Sequence, residues 1–554
     1  MEKQNVIGVD FGTDSVRAVV IDGITGERLG TGICQYPRWK RGLYQDPEKK
    51  RFRQHPLDYL EGLEISVCEA LDQAGGKARS QVLSISVDAT GSTPCPVDRQ
   101  GIPLSLLEPF KENENAMFHL WKDHTAINEA VELNQILSND EGIDYTKYQG
   151  AYSSEWYWAK ILYTSRIDAK VRASAFSWVE HCDWIPAVLT GNTNPLTMYR
   201  CSCAAGHKAL WHSEWNGLPS RACFERVSSY LLPAYDSFSQ KPRPADVKVG
   251  VITTDWARRL GLPSDTIIGG SSIDAHAGAV GAGIARNIFV TNVGTSTVDM
   301  MIEKADRLRG KNLVYASGQA EDSILPGYVG IEAGQAAFGD IYAWFAKFLM
   351  WPFSADLFGS SFFNESQKSF LFHEGKDKII AALTEAATKL NVENSLIALD
   401  WFNGRRYPYT NENLKSAVYG LSLSSDAPLF FQSIVIATAF GLKKIVESWI
   451  REGLIIDQII AVGGIAKKSS YVMQMMTDAL ACPIKVSATD QSCATGAAIY
   501  ASVAGGLYPT IPEAQEKLCE GFIQEYFPDG SKTEALSVAY QKYEDLGAFV
   551  EKGF

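Results

Sequence analysis

The sequence predicts an α/β protein built from two similar halves, and three observations lead to this prediction. The chain has 554 residues, more than a single hydrophobic core usually serves. Short apolar runs typical of buried strands alternate with longer stretches typical of helices. A pattern of strand, Gly-Thr turn and strand at residues 6–22 is repeated at residues 288–304.

The repeated stretch indicates how the two halves would act together. The turns at residues 12–13 and 294–295 are 282 positions apart, and the same spacing relates Asp10 to Asn292. A tight Gly-Thr turn between two strands gathers backbone N–H groups and hydroxyls at one point, which suits a phosphate group. Either turn alone is also explained by an ordinary hairpin. The preserved spacing favours two turns that hold one polyphosphate from both sides.

The first half has the order strand, hairpin, strand, helix, strand. The predicted elements are strands at 6–10, at 16–22 and from 27 onward, a helix opened by His55-Pro56, and a strand at 84–87 that ends at Asp88. This order differs from the single-helix alternation of a dinucleotide-binding unit.

The end of the second half gives the clearest helix and strand signals. They predict a strand at 458–462, a helix at 470–480, a strand at 484–487 and an Ala-rich helix at 492–503. Small residues in the last helix would let it approach a neighbouring element closely. The apolar stretch 427–442 is too short and too polar to span a bilayer, so we expect a buried helix there.

Composition excludes several classes of function. Hydrophobic residues make up 46% and charged residues 21%, as in ordinary globular proteins. The net charge of −12 and the pI of about 5.3 argue against a nucleic-acid or membrane-surface binder. The ten cysteines contain no C-x-x-C pair. His207 and His212 lie five positions apart, and we expect packing or a polar contact for them, with no acidic partner in a metal site. Without a signal peptide at its start, the chain is expected to be cytoplasmic with reduced thiols.

Several segments carry a family resemblance. DFGTDS, GGSSIDAHAGAVGAG, GTST and AVGGIAKKS resemble the FGGY carbohydrate kinases of the actin-like ATPase superfamily. VDATGSTPCPVD, AAGHKALWH, IEAGQAAFGDIYAWF and LDWFNGRR are similar to the members that phosphorylate L-ribulose. The resemblance covers nearly the whole chain in order. It implies an α/β fold of two actin-like ATPase (RNase H-like) domains, each a mixed sheet flanked by helices, with a cleft between them.

The resemblance also implies how the domains divide the work. Residues 1–284 would bind the sugar and carry the first phosphate turn and the catalytic aspartate. Residues 285–554 would carry the second phosphate turn and the adenosine site. The expected reaction is ATP-dependent phosphorylation of L-ribulose at O5, giving L-ribulose 5-phosphate in L-arabinose catabolism. ATP and Mg²⁺ are the expected cofactors.

The resemblance assigns the chemistry to individual residues. Asp274 would be the general base, because a fixed carboxylate can take the proton of a sugar hydroxyl as the P–O bond forms. A helix N-cap is the alternative role for Asp274. Asp10 would hold Mg²⁺ directly or through water.

The remaining assignments follow the matching motifs. The expected ATP contacts are Gly12, Thr13, Asp14, Ser15, Arg17, Gly294, Thr295, Ser296, Gly339, Gly463, Gly464 and Lys468. The expected sugar contacts are Thr90, Ser92, Thr93, Trp121, Asp123, Lys208, Asp274 and Glu332. Surface lysines remain the alternative for Lys208 and Lys468, and core packing remains the alternative for Trp121.

Two other functions stay open at this stage. A kinase for another pentulose or a polyol, similar to a xylulokinase, would use the same machinery. An actin-like ATPase without sugar transfer belongs to a different class, and it would lack a carboxylate beside a pocket of small residues. The expected partner is a small ketopentose, with no nucleic acid and no membrane. The sequence leaves the oligomeric state open, with a homodimer as one alternative.

Overall fold

The structure is a computed structural model that describes residues 3–311, 313, 318–354 and 364–553. Its described strands, in chain order, are β1 (Asn5–Phe11), β2 (Ser15–Asp22), β3 (Arg28–Gln35), β4 (Gln45–Asp46), β5 (Arg51–Gln54), β6 (Val82–Ala89), β7 (Pro94–Val97), β8 (Phe118–His119), β9 (Ser177–Glu180), β10 (Lys248–Val251), β11 (Ile267–Ile273), β12 (Ile288–Val293), β13 (Thr297–Glu303), β14 (Gly318–Glu321), β15 (Val329–Ala333), β16 (Ile397–Ala398), β17 (Val418–Tyr419), β18 (Gln458–Val462), β19 (Ile484–Ser487) and β20 (Phe522–Tyr526).

The helices connect and cover these strands. The described α-helices are α1 (Pro37–Lys40), α2 (Pro56–Ala74), α3 (Ile127–Leu137), α4 (Tyr157–Ile167), α5 (Ala169–Ser174), α6 (His181–Thr190), α7 (Ser202–Ala209), α8 (Arg221–Val227), α9 (Leu232–Ser237), α10 (Thr254–Leu260), α11 (Asp274–Gly281), α12 (Ala305–Leu308), α13 (Gly339–Leu349), α14 (Trp351–Ser354), α15 (Glu365–Ala387), α16 (Ala427–Arg451), α17 (Gly464–Lys468), α18 (Ser470–Leu480), α19 (Ser492–Ala504), α20 (Ile511–Leu518) and α21 (Gly530–Glu551). Short 3-10 helices occupy Arg79–Gln81, Leu104–Leu106, Glu108–Phe110, Glu114–Ala116, Ser213–Trp215, Ser229–Leu231 and Val392–Asn394.

Two main sheets share one topology. The first sheet has the order β10-β11-β6-β1-β2-β3, and the second has the order β14-β15-β13-β12-β18-β19-β20. Read from β20, the second sheet repeats the first strand for strand and adds β14 at the far edge. In each sheet a three-stranded antiparallel meander is extended by two parallel strands. The predicted duplication is therefore confirmed for the whole sheet, beyond the turn that first indicated it.

The two Gly-Thr turns differ by one residue. Phe11 pairs with Val16 across the first hairpin, with four residues between them. Val293 pairs with Thr297 across the second, with three residues between them. The second turn is therefore tighter, and β13 is shifted by one position relative to its counterpart β2. The constant spacing seen in the sequence did not predict this shift.

Helices α11 and α19 pack against each other between the two sheets. Helix α19 lies on β1 and β6 of the first sheet, and α11 contacts strands of both sheets. A Cβ atom on Gly496 would lie 1.8 Å from the carbonyl oxygen of Ala277, so the helices meet at a distance that a larger residue would prevent. The predicted close approach of this helix is confirmed. The division into domains after residue 284 stays a prediction. Helix α19 belongs to the second half by sequence, but it packs on the first sheet.

Helix α16 extends beyond the predicted stretch. It spans 25 residues from Ala427 to Arg451 and is long and apolar enough to cross a membrane by composition. Within its most apolar 18-residue window, 78% of the residues are buried inside the protein. The expected length was wrong, and the expected burial is confirmed.

Candidate active site

Three carboxylic acids meet where neighbouring parallel strands of the first sheet end. Asp10 of β1 lies beside Asp88 of β6, and Asp88 lies beside Ser272 of β11. Asp274 follows at the start of α11, immediately after β11. The carboxyl ends of parallel strands are the usual place for ligand sites in α/β proteins, so the topology itself gathers these groups.

Asp10 of this cluster pairs with a cation. The Arg17 Nη1 group donates a hydrogen bond to Asp10 Oδ2 over 3.2 Å. Burial raises the pKa of Asp10, and the Arg17 guanidinium works against that rise. Burial, together with the charges of Asp10 and Asp274, raises the pKa of Asp88 well above its usual range.

Asp88 is fully buried, and neither of its carboxylate oxygens has a hydrogen-bond partner among the residues that the structure describes. An ionised carboxylate in that position is costly unless a cation or a shared proton compensates it. One compensation is a proton shared with the adjacent Asp10. The other is a divalent cation, because oxygens of Asp10 and Asp88 and the sulfur of Cys493 lie within 4.8 Å of one another. The two carboxylates suit Mg²⁺, which prefers oxygen ligands.

Asp274 sits at the open end of the acid cluster. Its side chain is partly exposed, and its Oδ1 accepts a hydrogen bond of 2.7 Å from the N–H of Ala275. Burial and the Asp10 charge raise the pKa of Asp274 to about 7, while Lys208 opposes the rise. The N-cap of α11 is Ile273, with no side-chain capping hydrogen bond, so the alternative role of Asp274 as a helix N-cap is wrong. Its carboxyl is poised to exchange a proton near neutral pH.

Lys208 and Glu332 form a charged pair beside Asp274. Lys208 Nζ, near the end of α7, lies 3.3 Å from Glu332 Oε1 on β15. The Lys208 ammonium also lies 5.5 Å from the centre of the Trp156 ring. Burial would raise the pKa of Glu332, but Lys208 and a hydrogen bond from His276 hold it well below its usual range. The pair thus joins one residue from each half of the chain.

His207 and His276 also surround Glu332. Ligand atoms of these three residues lie within 4.8 Å of one another, so His207 does have an acidic companion, contrary to the expectation from sequence spacing. The packing of α7 and α11 against neighbouring strands of the second sheet, β14, β12 and β13, creates this proximity, which local spacing does not encode. His276 Nε2 lies 2.7 Å from Glu332 Oε2, and His207 Nε2 lies 3.2 Å from Ser323 Oγ.

The polar residues of loop 90–93 are directed inward. Thr90 and Thr93 are buried, and their hydroxyls lie 3.0 Å apart. Ser92 donates to Glu180, and the same carboxylate accepts a hydrogen bond of 2.7 Å from the Thr93 N–H. Their roles as sugar contacts stay predictions, and this burial favours support of the loop over direct contact.

Lys160 stabilises the same loop through hydrogen bonds to backbone carbonyl groups. Its fully buried ammonium donates to the carbonyl oxygens of Ser92 and Leu120, each over 2.8 Å. Burial lowers the pKa of Lys160 to about 7, and the nearby Glu180 opposes that effect.

Trp121 and Asp123 differ in their exposure. Trp121 is partly exposed, and its indole N–H donates to Thr13 Oγ1 over 3.0 Å. Asp123 is fully buried, pairs with Arg53, and accepts hydrogen bonds from the N–H groups of Phe52 and Thr125. Asp123 therefore anchors the segment that carries Trp121, and its direct contact with a sugar stays a prediction.

The first Gly-Thr turn carries several polar groups that are partly or fully exposed. The Gly12 N–H donates to the Ser15 carbonyl over 3.0 Å and closes the turn. Thr13 accepts from Trp121, which leaves its own O–H proton for another acceptor. Asp14 is exposed and accepts a hydrogen bond of 2.6 Å from the Trp39 indole, and Arg17 extends from the next strand toward Asp10.

The second turn gathers the other predicted nucleotide residues. The Gly339 N–H donates to the Gly294 carbonyl over 3.1 Å, and the Thr295 carbonyl accepts from the Phe338 N–H over 2.7 Å. Gly463 has a φ of 100°, and a Cβ there would lie 2.6 Å from the Val293 carbonyl oxygen. Glycine is thus required where β18 passes this turn.

Four predicted nucleotide residues lie at the tip of this turn and on the helix after Gly463. Thr295 is exposed and Ser296 is partly exposed at the tip of the second turn. A Cβ on Gly464 would meet open space, and Gly464 begins α17. Lys468 is exposed at the end of the same helix, so its surface alternative stays open.

Sequence reasoning missed three residues that the structure adds to the site. Asp88 was assigned only as a strand end, although an acid that closes a buried strand beside the strand of Asp10 was a usable signal. His276 lies two positions after Asp274, and its contact with Glu332 depends on how the halves pack. Cys493 reaches the acid cluster through α19, and we find no local sequence signal for it.

Comparisons with known proteins give matches over the full chain. The model of the FGGY family of carbohydrate kinases, C-terminal domain, matches residues 289–505. A ribulokinase of Vibrio parahaemolyticus serotype O3:K6 is 41% identical over 99% of this chain and 96% of its own length. A ribulokinase of Shouchella clausii is 32% identical over 100% of this chain and 96% of its own length.

A solved structure has the same fold. The xylulose kinase from Rhodospirillum rubrum superimposes with a TM-score of 0.78, at 18% identity, over 99% of each chain. The likeness covers both sheets and the helices between them, so the two actin-like domains expected from the sequence are confirmed as the fold.

Proposed function

Because the chain belongs to the FGGY family of carbohydrate kinases, we propose that it transfers the γ-phosphoryl group of ATP to O5 of L-ribulose, a step of L-arabinose breakdown. The observation that carries the proposal is the position of Asp274. Its carboxyl lies within electrostatic reach of Asp10 on one side and of Lys208 and Glu332 on the other. One group therefore adjoins both the predicted phosphate turn and a polar pocket that suits a sugar.

The proposed mechanism begins with Asp274 as the general base. The ionised carboxylate takes the proton from the O5 hydroxyl as the oxygen attacks the phosphorus atom, and ADP leaves. A pKa of about 7 suits this task, because the group is ionised in a large fraction of molecules and still accepts a proton readily.

Lys208 and Glu332 are proposed to orient the sugar. A lysine ammonium offers donors to sugar oxygens, and an ionised glutamate offers acceptors to sugar hydroxyls. Their separation of 3.3 Å lets both contact neighbouring oxygens of one ligand. Trp121 is proposed as a wall of the pocket, while Thr90, Ser92, Thr93 and Asp123 are retained as predicted sugar residues that act mainly by supporting it.

Both Gly-Thr turns are proposed to hold ATP. Gly12, Thr13, Asp14, Ser15 and Arg17 would contact the phosphates from the first half, and Gly294, Thr295 and Ser296 would contact them from the second. Gly339, Gly463, Gly464 and Lys468 would adjoin the nucleoside. Asp10, with Asp88 beside it, would hold Mg²⁺, which when bound offsets the phosphate charge.

The domain roles follow the same division. Residues 1–284 are proposed to carry the base and most sugar contacts, and residues 285–554 to carry the nucleoside site. All ten cysteines are free thiols, which supports a location in the reducing cytoplasm. A homodimer stays an untested alternative.

A ketose panel tests the proposed function. Wild-type protein with ATP and Mg²⁺ would be assayed for ADP release with L-ribulose, D-ribulose, D-xylulose, L-xylulose and glycerol, and without an acceptor. We expect L-ribulose to give the highest kcat/KM and the acceptor-free rate to be far lower. Preference for D-xylulose would support the alternative kinase, and equal ADP release with and without sugar would support an ATPase instead.

A further inference from the structure

We propose that His276 is a positioning residue for sugar binding: it fixes the orientation of Glu332 through a hydrogen bond that joins the two halves of the chain. The inference rests on the proposed function, because it assigns a task to a sugar-binding glutamate. His276 lies on α11, two residues after Asp274, and Glu332 lies on β15 of the second sheet.

The contacts of the imidazole ring are complete at both nitrogens. His276 is fully buried, with Nε2 at 2.7 Å from Glu332 Oε2 and Nδ1 at 2.7 Å from Cys203 Sγ. Its ring also packs edge-on against His207, with the ring centres 4.8 Å apart. The ring therefore has one orientation, set by α7 on one side and by β15 on the other.

The partners assign the tautomer. An ionised carboxylate can only accept hydrogen bonds, so the proton of a neutral imidazole belongs on Nε2, which donates to Glu332. Nδ1 is then an acceptor, and the thiol of Cys203 is the donor that faces it. Cys203, His276 and Glu332 thus form a directed chain of two hydrogen bonds.

This chain decides what Glu332 offers to a ligand. His276 holds Oε2, while Oε1 remains beside Lys208 at 3.3 Å. Without the histidine, the carboxylate would be free to rotate toward the Lys208 ammonium and pair with it fully. The donors of Lys208 would then be occupied and the sugar oxygens would lose a partner. The same bond requires the second half to lie against α11, so the sugar pocket is complete only in that arrangement.

Two isosteric variants separate positioning from packing. The side-chain amide of His276→Gln reaches about as far as Nε2, and the amide of His276→Asn reaches about as far as Nδ1. We expect His276→Asn to raise KM for L-ribulose about tenfold, as for loss of a hydrogen bond to a charged group. We expect His276→Gln to stay within about threefold of wild type. The dissociation constant of a non-hydrolysable ATP analogue should change less than twofold in both.

A second pair tests the other end of the chain. Cys203→Ser keeps a donor for Nδ1 and should match wild type, while Cys203→Ala should raise KM for L-ribulose in the same direction as His276→Asn. This pair carries the test if the histidine variants do not fold.

The outcomes distinguish the inference from the proposed function. If wild type phosphorylates L-ribulose, and His276→Asn and Cys203→Ala both keep the wild-type KM for L-ribulose, the positioning role is wrong while the kinase assignment stands. If the KM values rise equally in His276→Gln and His276→Asn, with weaker binding of the ATP analogue, the histidine serves general packing and the inference is overturned. If wild type phosphorylates no ketopentose, the proposed function fails and the inference fails with it.

Discussion

Asp274 is a single side chain that serves two environments. Its carboxyl accepts a hydrogen bond from the Ala275 N–H in the first turn of α11, and its side chain is partly exposed. Burial and the negative charge of Asp10 favour its protonated form, and the Ala275 N–H and the positive charge of Lys208 favour its ionised form. The balance keeps the group able to release and accept a proton near neutral pH, as a general base requires.

Ionisation of Asp274 predicts a pH-dependent rate. The raised pKa of about 7 means that the active, ionised form is lost as pH falls below about 7. We expect kcat for L-ribulose to rise with pH through that region and then level off. Asp274→Asn should lose roughly 10²–10⁴-fold in kcat. Its kcat should not rise with pH near 7, and the variant should still bind ATP. Full activity of Asp274→Asn would contradict the role as a base, and so would a kcat that still rises with pH near 7 in this variant.

Asp88 predicts a pH-dependent stability. Its folded-state pKa lies well above the unfolded value, so the folded protein keeps a proton that the unfolded chain releases. Stability from this group is therefore present at low pH and is lost as pH rises toward the folded pKa. In buffer without divalent cations, Asp88→Asn should have a higher melting temperature than wild type. This difference in melting temperature should be larger at pH 8 than at pH 5. An equal difference at both pH values would show that the carboxyl is compensated in some other way.

At the scale of elements, α11 and α19 form a close contact between the halves. Both are rich in alanine and glycine, and the backbone of one helix lies against the backbone of the other. Because α11 also begins with Asp274, the packing of these helices sets where the base stands relative to Asp10. Small residues here serve the site by fixing the distance between its parts.

Gly496 tests this helix contact. A valine side chain would collide with the Ala277 carbonyl, where even a Cβ would lie at 1.8 Å. We expect Gly496→Val to destabilise the protein by about 1–3 kcal/mol or more and to lower the melting temperature by several degrees. Gly530→Ala is the matched control, because a Cβ there meets open space at the start of α21. Unchanged melting of Gly496→Val would mean that the helices can separate at no cost.

Elements with a strong local pattern were predictable from the sequence. The strand Gln458–Val462, the helix Ser470–Leu480 and the strand Ile484–Ser487 have the predicted bounds, because apolar periodicity and turn residues mark both ends. The predicted stretch of helix α16 ends at residue 442, immediately before Lys443 and Lys444, where the apolar run stops. Both lysines instead lie along the helix and form ion pairs with Glu447 and Glu544.

Features that depend on packing could not be predicted in the same way. The one-residue shift at the second turn is a matter of strand pairing, which the repeat in the sequence does not encode. The inward direction of Ser92 and the burial of Asp123 depend on partners far along the chain, Glu180 and Arg53. The pairing of Lys208 with Glu332 also joins distant segments, and the family resemblance, not local pattern, indicated both residues.

At the scale of the molecule, both proposed ligand sites are divided between the halves. The ATP phosphates would contact one turn from each sheet, and the sugar would contact Lys208 and Asp274 from the first half and Glu332 from the second. A ligand that touches both halves favours their closed arrangement, so each ligand should favour binding of the other. Closure would also exclude water and limit wasteful hydrolysis of ATP.

This arrangement predicts positive coupling between the ligands. Saturating L-ribulose should lower the dissociation constant of a non-hydrolysable ATP analogue by about 5–150-fold, the usual range of such coupling. Titration calorimetry with and without the sugar measures the effect, and glycerol serves as the control ligand. Identical affinities with and without L-ribulose would contradict a shared closure.

The most direct test of the whole account is a crystal structure of the protein with L-ribulose, Mg²⁺ and a non-hydrolysable ATP analogue. The account predicts the triphosphate between residues 12–15 and 294–296, and the O5 hydroxyl within hydrogen-bond distance of Asp274. A triphosphate bound away from both turns, or a sugar with O5 turned away from Asp274, would contradict it.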